Sequence, residues 1–294
     1  MNGNHLNSLS TAGAPDHRAL CRLRRAPYAL VVDAYAGCDL GCALCSAPLR
    51  VFPSPGPALS RFLKRHAKTV AGGWARLGEG CDAYPLAEDL HQATRAILEE
   101  LARAGLGVEI FTRSRRILRD ADLLRALAKE DAVRVTVKIP PSPRAVTLAL
   151  EPGLGPAPDR FALVSELARM GIPVGVEATP VLPGFGDDRR SLGHLICAAD
   201  EAGASYVRVS PLRLEGRVRS QLLTRLAALD AEGAERVRRC FGRTPWSPRF
   251  AEQVETTARS LRTTYRIPSE PTLLYQAQPI RVGFPTQLAL FGAA

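Results

Sequence analysis

The sequence predicts an α/β protein, a partial (β/α)6 TIM-type barrel with a C-terminal helical extension. Short β-rich runs alternate with longer runs of helical period from residue 28 to about 210, the mark of βα units and a parallel sheet. About six such units fit, fewer than the eight of a closed barrel, and an open flat sheet is the alternative. Beyond residue 215 only helical patterns remain.

Residues 1–27 carry Gly, Asn, Ser and the pair Arg24-Arg25 without an apolar period, and read as a flexible lead-in. Strands are expected near Leu30–Ala34, Trp74–Leu77, Val108–Phe111, Val133–Val137, Val174–Ala178 and Tyr206–Val209. Between them, Ala87–Arg103 repeats Leu90, Ala93, Ile97, Leu98 and Leu101 at helical spacing, with Gly105 as its stop. Ala121–Lys129, Arg160–Met170 before Gly171, and Arg190–Ala202 before Gly203 repeat that plan. The barrel is thus assigned to residues 28–215. Helices over Gln221–Asp230, Gly233–Phe241 and Arg249–Tyr265 form the extension, 216–277, and 278–294 is an extended tail.

With 294 residues, 46% apolar and 23% charged, the chain can build its own core and is neither a disordered tail nor a fibre. No apolar run approaches the ~20 residues of a membrane helix, and residues 1–15 lack the apolar region of a secretory signal, so a cytoplasmic protein is expected. The net charge is +10, from 39 basic and 29 acidic residues, and only Lys64, Lys68, Lys129 and Lys138 are lysines. Arginine forks suit phosphate and carboxylate partners; nucleotide-composition bias of the genome explains the excess equally well.

Seven cysteines, unevenly spaced, argue against a disulfide framework. Cys38, Cys42 and Cys45 cluster as C-x3-C-x2-C just past the first predicted strand, where a barrel opens its active-site mouth. Gly37 and Gly41 let the backbone wrap closely around a bulky object. Thiolates select zinc, copper(I) or iron–sulfur clusters. Structural zinc asks for a fourth ligand, and His66 and His91 are isolated. A cubane [4Fe–4S] cluster takes four cysteines, so three leave one iron for an exogenous ligand.

This arrangement resembles the radical S-adenosylmethionine superfamily. Within it, residues 28–215 are similar to the spore photoproduct lyase-related, DNA repair photolyase-like branch. The segments carrying the likeness are Asp33–Cys38, Asp82–Glu88, Phe111–Ser114 with Ile117–Asp120, Leu150-Glu151-Pro152 with Pro158–Arg160, and Pro180–Asp188. Leu44 and Ser46 replace the family's usual aromatics, and Gly153 replaces its usual Arg. The resemblance implies an enzyme in which a [4Fe–4S] cluster on Cys38, Cys42 and Cys45 cleaves S-adenosylmethionine to a 5′-deoxyadenosyl radical. Lyase-type repair of damaged DNA is the implied reaction. Radical modification of a peptide, RNA or small molecule is one alternative, and a non-catalytic zinc or nucleic-acid-binding protein the other.

By their strand-end positions, Gly78 and Glu79 are expected to meet the cofactor's amino group, and Thr112, Ser114, Thr136 and Lys138 its ribose or carboxylate; ordinary strand-end and capping roles compete. Cys81 and Tyr84 follow the second strand at the same mouth and are the catalytic candidates, Cys81 as hydrogen donor or as an inert cysteine. Two basic runs, Arg113, Arg115, Arg116 and Arg119, then Arg208, Arg213, Arg217 and Arg219, offer a phosphate backbone a path across the opening. DNA is therefore an expected partner, with a reductant such as flavodoxin or ferredoxin. The tail residues Gln287, Leu288, Leu290 and Phe291 resemble a sliding-clamp peptide, with a tail folded onto its own core as the competing reading.

Overall fold

The structure, a computed structural model, describes residues 21–24, 28–45, 47–54, 56–214 and 216–271. The clamp-like peptide lies outside them. In chain order the elements are β1 (Cys21–Leu23), β2 (Tyr28–Val32), β3 (Tyr35–Ala36), β4 (Phe52–Pro53), α1 (Gly56–Arg65), α2 (Ala67–Val70) and β5 (Trp74–Leu77). There follow α3 (Glu88–His91), α4 (Ala93–Arg103), β6 (Gly107–Thr112), a 3-10 segment (Arg115–Asp120), α5 (Ala121–Lys129), β7 (Val133–Ile139), α6 (Arg144–Leu150) and α7 (Ala157–Arg169). Last come β8 (Val174–Val181), α8 (Arg189–Glu201), β9 (Val207–Pro211), α9 (Gly216–Ala227), α10 (Ala231–Phe241) and α11 (Pro248–Tyr265).

The main sheet runs β1-β2-β5-β6-β7-β8-β9, parallel throughout except for β1, which pairs antiparallel with β2. From β2 onward the parallel strands lie in sequence order. A strand order that never reverses is that of a barrel wall, whereas a doubly wound sheet needs a reversal point. This decides between the two predicted architectures in favour of the six-stranded partial barrel.

Strand periodicity then sorts the side chains. On β6 and β7, Val108, Ile110, Val133, Val135 and Val137 are fully buried in the core with Leu98, Leu101 and Leu127 of the helices. Glu109, Phe111, Arg134, Thr136 and Lys138 alternate with them and so occupy the opposite, inner face. That inner face is polar. Glu109 accepts hydrogen bonds from Tyr28, Arg208 and Thr136, the last at 2.6 Å. Burial opposes its charge, but the Arg208 guanidinium and the Thr136 and Tyr28 hydroxyls outweigh that and hold its pKa below the ordinary value.

The helix stops fall where the glycines predict. Gly105, Gly171 and Gly203 take positive φ, and the next residue's amide closes each helix, Leu106 to Leu101 O (3.1 Å), Ile172 to Leu167 O (3.0 Å) and Ala204 to Ala199 O (2.9 Å). Asp188 caps α8 by accepting from the Arg190 and Ser191 amides.

Some expectations need correction. The sheet starts inside the predicted lead-in, because Cys21–Leu23 pairs with Leu30–Val32. The helix over 87–103 is broken at Gln92, whose φ of 48° separates α3 from α4; Leu90, counted in its apolar stripe, is 80% exposed. The Pro-rich segment 48–60 holds β4 and the start of α1, whose Leu59 and Leu63 are buried one turn apart. Within 216–271, α11 packs on α8 and β9, and α9 on α10 and α6.

Candidate functional site

The loop after β2 is held from three sides. Gly37 has φ of +101°, and a Cβ there would lie 1.9 Å from the Arg50 carbonyl oxygen, so only glycine lets the two backbones pass. The Cys38 amide donates to Pro48 O (2.9 Å) and the Ala43 amide to Leu150 O (2.8 Å), while the Gly153 amide donates to Leu40 O (3.2 Å). Arg225 of α9 bonds the Gly41 and Ala149 carbonyls, both at 3.2 Å. Asp39 faces outward and accepts from the Leu86 and Ala87 amides at 2.7 and 2.9 Å.

Gly153, where the resembled family carries Arg, is therefore part of the cradle. A Cβ there would sit 2.4 Å from Leu40 O, against backbone that cannot swing aside. Gly153→Ala is expected to displace the cysteine loop and lower iron bound per chain after reconstitution. Iron content equal to the parent protein's would contradict this.

Cys38, Cys42 and Cys45 line one cavity of about 300 Å³ at the C-terminal end of the strands. Gly78 to Asp82 line it as well, and Arg113 and Lys138 supply positive charge. Burial pushes the Cys38 thiol up to about 11 and the Cys42 thiol up to about 12. Without metal these sulfurs stay protonated, so loading must release protons. Asp33 accepts from the Gly80 and Cys81 amides (2.9 and 3.3 Å), which pins that segment.

Among the described residues no three His, Cys, Asp or Glu side chains converge on a single ion. A cubane makes a different demand, since each thiolate bonds its own iron and the sulfurs must stand apart. Three thiols lining one cavity, a glycine-dependent loop and the Arg113 and Lys138 cations beside them fit such a cluster.

Of the residues expected at the site, Gly78, Glu79, Cys81 and Lys138 line this cavity. Burial lowers the Lys138 pKa, and its ammonium lies 5.2 Å from the Phe111 ring centre. Four others lie elsewhere. Thr112 donates to Asp82 Oδ1 at 2.6 Å and receives the Ser114 amide at 2.9 Å. Ser114 caps the 3-10 segment by accepting from the Arg116 amide. Thr136 sits deeper, on Glu109 and within 2.6 Å of the Tyr206 hydroxyl. Tyr84, placed among the catalytic candidates, is wholly buried, donates to Asp120 Oδ2 at 3.1 Å and does not border the cavity.

Asp82 and Glu151 were not among the expected site residues. Asp82 accepts from Thr112, from the Tyr84 amide (2.9 Å) and from the Arg113 amide (2.8 Å), joining β5 to β6 beneath the cavity. Glu151, 1% exposed, accepts from Arg113 Nε at 2.9 Å and from Arg160, itself 2% exposed. The pattern Leu-Glu-Pro followed by Pro-Asp-Arg was the available signal; that Arg113 and Arg160 share Glu151 was not readable from it.

The basic run after β6 is also not free. Arg113 pairs with Glu151, Arg115 with Glu166, Arg116 with Asp89, and Arg119 with Glu88 and Asp120. Arg208 is held by Glu109 and Glu270, and Arg219 donates to the Gly242 and Thr244 carbonyls.

The sequentially ordered six-stranded parallel wall, with three cysteines in the loop after its first parallel strand, is a partial barrel, a fold shared with solved structures. Among solved structures it is similar to spore photoproduct lyase with bound AdoMet and dinucleoside spore photoproduct, with a TM-score of 0.62 and 16% identity, covering 84% of this chain and 77% of that one. It is also similar to Streptococcus suis SuiB bound to its precursor peptide SuiA, with a TM-score of 0.52 and 13% identity, over 82% of this chain and 48% of SuiB. Uncharacterised proteins of Mycobacterium tuberculosis and Mycobacterium bovis are 26% identical over 257 residues, 82% of this chain and 76% of theirs. No family model matches the chain.

Proposed function

We propose that the chain is a radical S-adenosylmethionine enzyme that acts on damaged DNA. The observation that carries the reading is the lining of one cavity by Cys38, Cys42 and Cys45 together with Gly78, Glu79 and Lys138. When bound, a [4Fe–4S] cluster with one open iron would reduce S-adenosylmethionine and supply a 5′-deoxyadenosyl radical to the substrate. Among the described residues Lys138 makes no hydrogen bond or ion pair, and it would meet the cofactor's carboxylate; Glu79, which also pairs with Arg24, and the Gly78 backbone would meet its amino group. Cys81, which lines the same cavity, can return a hydrogen atom to a product radical.

The DNA reading draws on the net charge of +10 and on the likeness to spore photoproduct lyase. The paired arginines weigh toward a second reading, radical modification of a peptide, which the likeness to SuiB also supports. Anaerobic turnover with ultraviolet-damaged DNA tests the first: deoxyadenosine release is expected to rise over a DNA-free control, and DNA binding to weaken as salt increases. No binding at low salt would favour the second. A small acidic reductant, flavodoxin or ferredoxin, is the proposed electron source. Zinc retention without iron uptake would leave the non-catalytic alternative.

A further inference from the structure

Four of the seven cysteines line the cavity, and the fourth, Cys81, comes from the loop after β5. Its thiol is tied to the cysteine loop reciprocally. The Gly37 amide donates to the Cys81 sulfur, and the Asp82 amide donates to the Cys38 sulfur. Cys81-Asp82 and Gly37-Cys38 thus lie against one another, with the sulfurs as mutual neighbours. Amide donors to sulfur also stabilise metal-bound thiolates and tune their clusters. The Cys81 backbone has little freedom to leave, because Asp33 holds its amide and that of Gly80, where a Cβ would come within 2.7 Å of Asp33 Oδ2. Lys138, lining the same cavity and without an ion-pair partner among the described residues, suits a net negative occupant.

We propose that Cys81 is a fourth, displaceable thiolate ligand, which occupies the open iron until S-adenosylmethionine arrives. This rests on the preceding reading that a cubane sits on Cys38, Cys42 and Cys45. On ligation the Cys81 S–H gives its proton to solvent and one Fe–S bond forms, with no change of oxidation state. When the amino and carboxylate groups of S-adenosylmethionine displace it, that bond breaks and the sulfur takes a proton back. Two things follow for this chain. The resting cluster is fully coordinated and keeps its fourth iron, and cofactor binding frees a thiol beside the reacting centre.

The test compares wild type with Cys81→Ala, both reconstituted anaerobically as full chains. Iron and sulfide are counted first, then a mild oxidant is added without S-adenosylmethionine, and the low-temperature EPR signal of the oxidised three-iron cluster is measured. The variant is expected to give a several-fold larger signal, and S-adenosylmethionine added before the oxidant should suppress it. Equal signals from the two proteins would overturn the proposal and leave the enzyme reading intact. Failure of wild type itself to hold a four-iron cluster would end both. If the alanine variant does not fold or load, Cys81→Ser, which keeps the side-chain size, is read by the same criterion.

Discussion

Glu151→Ala is expected to give the largest loss of stability of any substitution at the site. Glu151 is the shared carboxylate of Arg113 and Arg160, and its removal leaves the enclosed Arg160 guanidinium without its ion-pair partner. Breaking one side of a buried pair costs about 3–5 kcal/mol. For a chain of this size that corresponds to a fall in Tm of roughly 10 °C. Arg113 also lines the cysteine cavity, so the same change should reduce iron retention. Glu151→Gln keeps the shape but only one acceptor oxygen, so one of the two arginines faces an NH2 donor; it should fall between the parent and Glu151→Ala. A melting temperature within a degree or two of the parent would show that the two arginines find other partners.

The largest loss of activity is expected from Cys42→Ala. One of only three loop thiolates would be gone, and a cubane cannot be held open at one iron when a second iron has also lost its protein ligand. Deoxyadenosine formation should fall at least ~10³-fold, the scale on which removal of an essential catalytic group is felt. The metal-free fold should be little affected, because the loop is fixed by the Cys38, Ala43 and Gly153 amides and by Arg225, not by the Cys42 side chain. Cys197→Ala is the matched control, since Cys197 lies on α8 beside Glu201, and should keep full activity. Activity retained in Cys42→Ala would remove the cysteine cluster from the mechanism.

How well the chain could be read from its sequence depended on how local each signal was. Trp74–Leu77 and Ala121–Lys129 were bounded to the residue because their patterns begin and end in sharp breaks. α1 was hidden because Pro53, Pro55 and Pro57 obscured a Leu59–Leu63 repeat that is plain once the fold is known. β1 was missed because an edge strand of three residues has no period to detect, and its partner lies across the 25–27 connection. The same distinction separates the site residues. Cys38, Cys42 and Cys45 stood out by their spacing, and Gly78, Glu79, Cys81 and Lys138 by the rule that residues just past parallel strands face the mouth; all seven line one cavity. The rule fails for Thr112 and Tyr84 because acceptors 30 and 36 residues away, Asp82 and Asp120, claim their hydroxyls. It fails for Thr136 because that residue lies mid-strand, within the Glu109 network.

The central claim is that the Gly37–Cys45 loop holds one four-iron cluster with an iron that S-adenosylmethionine can reach. Anaerobic reconstitution of the full chain, followed by reduction in the presence of S-adenosylmethionine, addresses it most directly. The account predicts about four irons and four sulfides per chain and release of 5′-deoxyadenosine on reduction. A chain that takes up zinc in place of iron, or that carries the cluster yet yields no deoxyadenosine, would contradict it.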